Sequence, residues 1–200
     1  MDFYYTPTAC SQAAHILLVE TGLPFRPHKV DIFRHVLEDG SPYEAVNPNG
    51  YVPALVFDDG TLLTENVALL DWIAMQGDGL VPDGPLGRTR HLQMLAFLST
   101  EVQKPFVRLF FTDNAEEKAW LGETLARRFE WIASRIEGDF LFGRRFSAAD
   151  AFLYVMLRWA AMCGIAVPDT LRALGSRVEA RPSVRAVLSR EAVAPLGAAA

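Results

Sequence analysis

Apolar positions change their rhythm once along this chain. Before residue 77, short runs alternate between the two-residue period of a strand and the roughly 3.6-residue period of a helix. Asp2 to Tyr5 is a brief aromatic run that Thr6-Pro7 interrupts. Ser11 to Thr21 carries Ala13, Ile16 and Leu17 at helical spacing, and Gly22 supplies a C-terminal stop. Phe25 to Asp31 alternates weakly and reads as a strand from its context. Ala54–Phe57 and Thr61–Thr64 flank Asp58-Asp59-Gly60, a hairpin signal. Glu65 to Met75 returns to helical spacing through Val67, Leu70 and Ile73. The order is β-α-β-(helix or loop)-β-β-α, and its simplest solution is a mixed four-stranded sheet with helices on both faces.

Residues 77 to 87 hold four glycines and two prolines, which neither a helix nor a strand accommodates. The predicted organisation is therefore an α/β domain over 1–76, a linker over 77–87, and a second domain over 88–200. That second half predicts only helices. Arg88–Phe111 is one long amphipathic pattern and Ala115–Ile136 another. Ser147–Cys163 is apolar nearly all round and reads as the central helix. Pro168–Leu174 and Pro182–Ser189 are shorter segments opened by proline, and the Ala-rich tail Gly197–Ala200 is expected to fray.

Composition narrows the picture in three ways. Half of the 200 residues are apolar, enough for a sizeable core. A net charge of −5 argues against a nucleic-acid or anionic-membrane partner. The N-terminus lacks a basic, apolar leader, and Cys10 and Cys163, the two cysteines, form neither a zinc-site spacing nor a C-x-x-C dithiol. A reducing compartment, the cytoplasm, and no metal are the expectations.

Several residues then carry candidate chemistry. Cys10 stands just before a predicted helix, where backbone N–H groups and the helix dipole favour a thiolate; simple burial is the alternative. Cys163 reads as packing. Val52-Pro53 opens a strand. It is either an ordinary trans bond or a cis turn that exposes the Val52 main chain to an extended peptide ligand. In Thr64-Glu65-Asn66, Thr or Asn caps the next helix, or helix amides and Glu65 clamp a carboxylate and an ammonium. Ser147 and Asp150 have the spacing of a capping box. Arg158, inside the apolar helix, requires an internal carboxylate.

Together these residues resemble the glutathione transferase superfamily, and its bacterial beta class most. The resemblance rests on Tyr4-Tyr5-Thr6-Pro7-Thr8-Ala9-Cys10-Ser11, Asn47-Pro48-Asn49-Gly50-Tyr51-Val52-Pro53-Ala54-Leu55, Leu63-Thr64-Glu65-Asn66, Phe146–Ala151 and Leu157-Arg158-Trp159-Ala160. It implies a thioredoxin-like N-terminal domain, an all-helical C-terminal domain and a cis Val52–Pro53 bond. It also implies glutathione as co-substrate, a small hydrophobic electrophile and a homodimer. Cys10, with Tyr5 nearby, would serve the glutathione sulfur. His35, Tyr51, Val52, Pro53, Glu65, Asn66, Gln103 and Lys104 would line the glutathione site, and Phe106, Phe110 and Trp159 the electrophile pocket, with Phe111 and Met162 as further candidates. Departures from the class pattern are Asn66 for Ser, His35 for Lys, Tyr51 for Gln, and Gln103-Lys104 for a His-Lys pair. The implied activity is conjugation or thiol–disulfide chemistry through Cys10. The alternatives are a glutathione-dependent isomerase or dehalogenase and a noncatalytic binding protein on the same fold.

Overall fold

The computed structural model describes residues 1–196, so the tail Gly197–Ala200 lies outside the described residues. Strand β1 (Asp2–Tyr5) is central, because Phe3, Tyr4 and Tyr5 are all buried. It pairs in parallel with β2 (Arg26–Asp31), Phe3 opposite Pro27, and antiparallel with β4 (Ala54–Val56), Phe3 opposite Leu55. The hairpin closes through Gly60 at φ 83° onto β5 (Leu62–Leu63). The sheet has five strands rather than four, in the order β3-β2-β1-β4-β5. The extra strand β3 (Val36–Leu37) is only two residues long and pairs antiparallel with β2, too short to leave an alternating pattern in sequence. A single 3-10 turn at Tyr43–Ala45 bridges from β3 toward β4.

Helix α1 (Ser11–Thr21) packs its apolar residues on the sheet and stops at Gly22, whose φ of 68° is left-handed. Helix α2 (Asn66–Ala74) follows β5 directly. Asn66 does not cap it. The residue before the helix is Glu65, at φ 67°, and no side chain accepts from the first turn.

From Gly87 to Phe111 the backbone is helical, as the pattern predicts, but not uniformly α. Helix α3 (Gly87–Phe97) passes into a π-helical stretch, Leu98–Gln103, and then into α4 (Lys104–Phe111). The Lys104 N–H bonds the Ser99 carbonyl five residues back. Pro105 explains the change. It has no N–H to give Glu101, and its ring would crowd that carbonyl in a regular helix, so a widened turn relieves both problems.

Helix α5 (Ala115–Ala133) is capped by Asn114, which accepts from Glu117 N–H at 3.0 Å. Helix α6 (Ala148–Cys163) runs through the middle of the second half and is buried from Ala148 to Ala160. At its start the Asp150 carboxylate accepts from Ser147 N–H at 2.8 Å, Ser147 Oγ at 2.6 Å and Leu141 N–H at 2.9 Å. Helices α7 (Asp169–Glu179) and α8 (Pro182–Arg190) complete the bundle, α7 continuing past the expected Leu174. Arg158 reaches Tyr154 Oη at 3.2 Å and the Ala194 carbonyl at 2.9 Å, with the Glu179 carboxylate 4.0 Å away. One continuous core holds Phe3, Ile16 and Leu70 together with Leu95, Phe152 and Val187, so sheet and bundle share their apolar interior.

Candidate active site

The site is built around the turn that carries Cys10. Thr6 Oγ1 donates to the Val30 carbonyl at 2.8 Å, tying the turn to β2. Ser11 Oγ lies 3.2 Å from both the Thr6 N–H and the Thr6 carbonyl and draws the turn closed. Between them, Thr8 has φ 65°, a left-handed conformation uncommon for a residue with a branched side chain. Its carbonyl accepts the Trp159 indole N–H at 2.7 Å, and its N–H faces Glu191 Oε2 at 3.4 Å. The cysteine turn is thus held by two residues of the helical half.

Cys10 itself is buried, with its Sγ 3.6 Å from the Val52 carbonyl. Burial pushes the thiol up to about 11, outweighing the Gln103 side chain and the Cys10 and Ser11 amides, which favour the anion; Glu65 adds to the upward push. The helix-dipole argument therefore reverses here. In this state the group is a neutral S–H, because a lost hydration shell costs more than two amides return. Tyr5, expected beside the thiol, packs its ring on Phe3 and His15, and burial raises its phenol as well.

Across the turn lies the Val52–Pro53 peptide, which is cis. The Tyr51 carbonyl is fixed by Asn47 Nδ2 at 2.7 Å and Tyr43 Oη at 2.9 Å, while the Tyr51 side chain is 73% exposed. His35 has φ 55°, and its Nδ1 lies 3.0 Å from Glu44. Gly50 packs beneath it at φ 69°, where a Cβ would come within 2.5 Å of His35 Nδ1. His35 thus sits beside the Glu44 carboxylate, although its Nδ1 makes no hydrogen bond.

Glu65 is exposed at the entrance of α2, and Asn66 is buried beside it. Both polar atoms of the Asn66 carboxamide are buried without a partner. That is an expensive arrangement for a residue with two donors and an acceptor. On the helical side, Gln103 ends the π-helical stretch with its side chain toward the thiol, and Lys104 is exposed. Trp159 meets Phe106 and Phe110 edge-on, with centroids 5.8 Å and 5.2 Å apart. Phe106 is fully buried and belongs to the core, whereas Phe110 is 42% exposed, and Phe111 and Met162 are exposed too.

Sequence reasoning missed a buried polar cluster behind the turn. Glu191 accepts from Gln12 Nε2 at 2.8 Å and lies 2.8 Å from His15 Nδ1, with the side chains of His15 and Glu191 fully buried. The signal was faint. Gln12 and His15 interrupt the apolar stretch of α1, and their partner lies 176 residues away from His15.

Family comparison agrees with this architecture. Residues 9–76 match the model "Glutathione S-transferase, N-terminal domain" and residues 116–190 its C-terminal counterpart. The chain is 37% identical over 198 residues to glutathione S-transferase GstA of Escherichia coli O157:H7, covering 96% of this chain and 98% of that one. A sphingomonad glutathione S-transferase solved with glutathione superposes with a TM-score of 0.90 at 41% identity, covering 97% of this chain and all of that one. A bacterial beta class enzyme from Sphingomonas chungbukensis gives 0.88 at 37% identity, with 97% and 100% covered. A conjoined sheet and helical bundle, a cysteine turn facing Val52–Pro53 and these full-length likenesses lead to one conclusion: the chain belongs to the glutathione S-transferase family.

Proposed function

We propose that the protein conjugates glutathione to small hydrophobic electrophiles, with the glutathione sulfur as nucleophile and Cys10 as a neutral hydrogen-bond donor to it. The observation that carries this reading is the buried Cys10 thiol, whose Sγ lies 3.6 Å from the Val52 carbonyl, and burial there raises it to about 11. A group that holds its proton at neutral pH is poorly suited to attack a disulfide but well suited to donate to a neighbouring sulfur anion. Lowering the glutathione thiol by two pKa units requires ~2.7 kcal/mol of preference for the anion. A hydrogen bond to a charged sulfur supplies about 1.5–3 kcal/mol. In the reaction the thiol proton leaves to solvent, the sulfur forms a bond to the electrophilic carbon, and the leaving group departs with its electron pair.

Glutathione would lie along residues 1–76, with its cysteinyl backbone toward Val52, next to Pro53 and Tyr51. The unpartnered Asn66 carboxamide and exposed Glu65 fit its γ-glutamyl carboxylate and ammonium. Lys104, and His35 despite its Glu44 neighbour, would serve the glycyl carboxylate side, and Gln103 the thiol end. The electrophile would sit on Phe110 and the Trp159 edge, over Phe106. In this reading 77–87 is a linker and 88–200 the domain that carries the electrophile wall. The working unit is a cytoplasmic homodimer; no helix among the described residues is long and apolar enough to cross a membrane.

Titration calorimetry with glutathione, paired with a conjugation assay on an activated aryl chloride, tests the reading. Micromolar binding and turnover, with Cys10→Ala lowering kcat at least tenfold, would support it. The Glu44 carboxylate beside His35, where a carboxylate ligand would be held, favours one rival, a noncatalytic binding protein on this scaffold. Absence of binding at millimolar glutathione would favour that rival.

A further inference from the structure

The indole of Trp159 does two things at once. Its ring edges contact Phe106 and Phe110, and its N–H reaches 2.7 Å across to the carbonyl of Thr8. Thr8 is not an ordinary acceptor. It sits at φ 65°, where a β-branched residue is disfavoured, two positions before Cys10. Such a conformation persists only when its surroundings over-determine it, and here both polar groups of the Thr8 main chain are taken by the helical half. The Ser11 and Thr6 side-chain bonds fix the ends of the turn and Ala9 N–H donates to the Thr6 carbonyl at 3.2 Å within it, but the Thr8 N–H and carbonyl are taken only by the helical half.

We propose that Trp159 is a positioning residue for Cys10: its indole N–H holds the strained Thr8 peptide and thereby fixes the turn that seals the thiol against Val52. Without that hydrogen bond the turn relaxes toward negative φ at Thr8, and the thiol becomes more accessible to reagents. This goes beyond an apolar wall, since a wall needs only the ring. The inference concerns the reactivity of Cys10 in the glutathione-free protein, so it stands or falls independently of the conjugation reading.

The test is alkylation of Cys10 by iodoacetamide, followed by mass spectrometry in a Cys163→Ser background that leaves one thiol. The Cys10 sulfur displaces iodide, and the thiol proton is lost to solvent. Trp159→Phe is expected to raise the Cys10 alkylation rate about fivefold at pH 8, the factor one neutral hydrogen bond commands. Replacing Trp159 with 3-benzothienylalanine keeps the bicyclic ring and exchanges N–H for sulfur, so it gives the same test with packing preserved. Thr8→Gly supplies the second axis, because glycine adopts the left-handed region without a side-chain cost. In the Thr8→Gly background the effect of losing the indole N–H should shrink below about twofold. An unchanged alkylation rate in the benzothienyl variant would overturn the proposal. So would an effect of equal size with threonine and with glycine at position 8, which would mean that the indole bond does not act by holding the strained Thr8 conformation.

Discussion

At the scale of single residues, the candidate site keeps its polar groups in costly states. Burial holds the Cys10 thiol up to about 11, so the protein with no ligand should alkylate at Cys10 with a rate that keeps rising beyond pH 10. An ordinary thiol would level off near pH 9. A plateau below pH 9 in a Cys163→Ser background would contradict the neutral-donor role. Asn66 is the second such residue. Leucine there has similar volume and no unpaired amide, so Asn66→Leu should stabilise the free protein by about 1–3 kcal/mol while weakening glutathione binding at least tenfold. Melting temperature and calorimetry read the two effects separately. Opposite signs are the diagnostic outcome, because a residue kept only for structure would not gain stability on losing its polar group.

At the scale of elements, the start of α6 depends on groups supplied from elsewhere in the chain. The Leu80 carbonyl accepts from Ala148 N–H at 3.1 Å, and His91 Nε2 accepts from Ala149 N–H at 3.2 Å. The imidazole is fully buried, and burial lowers it to about 4. A folded value depressed below the unfolded one near 6.5 means the stabilisation is complete above about pH 6.5. It is lost as pH falls toward 4, by about 3 kcal/mol in all. Asp150 next to it is moved the other way by burial, up to about 6, so its own contribution is greatest in acid and declines as pH rises toward 6. The two trends oppose each other in the unmodified protein. His91→Gln isolates the first: glutamine can still accept from Ala149, and its stability difference from the unmodified chain should change by about 3 kcal/mol between pH 7 and 4 in denaturant titrations. A pH-independent difference would mean that the imidazole does not titrate with folding.

Most elements were legible from sequence because periodicity, Gly22, Gly60 and the proline-glycine stretch at 77–87 are local signals. The π-helical stretch was not, since Pro105 announces a disturbance without saying whether the helix ends, kinks or widens. Strand β3 was invisible for a different reason: two residues cannot show a period. In the site, Cys10, Val52–Pro53 and Glu65 could be picked out by their neighbours in the chain. The Trp159 bond to Thr8 could not, because it joins residues 151 positions apart and an indole leaves no mark of its partner.

At the scale of the molecule, the cluster of Gln12, His15 and Glu191 joins the sheet-bearing half to the end of α8. Removing one member strands the others in an apolar interior. Glu191→Ala should therefore cost about 1–3 kcal/mol for each of Gln12 and His15 left unpaired, above a typical surface substitution. Because the two halves share one core, the loss should appear as a shift of a single unfolding transition rather than as early melting of one half. Two separated transitions, followed by fluorescence and circular dichroism, would contradict that.

The same cluster sets a timetable for biosynthesis. His15 emerges early, but the carboxylate that completes it is 176 residues further on. At about 5–20 residues per second, translation needs roughly 10–35 s to cover that distance. The sheet and α2 can cover part of helix α1 early, but α6 follows only at residues 148–163 and α8 at 182–190, so Gln12 and His15 wait longest for their partner. A message cut short before codon 191 therefore yields a product that lacks the carboxylate its first helix is built to meet.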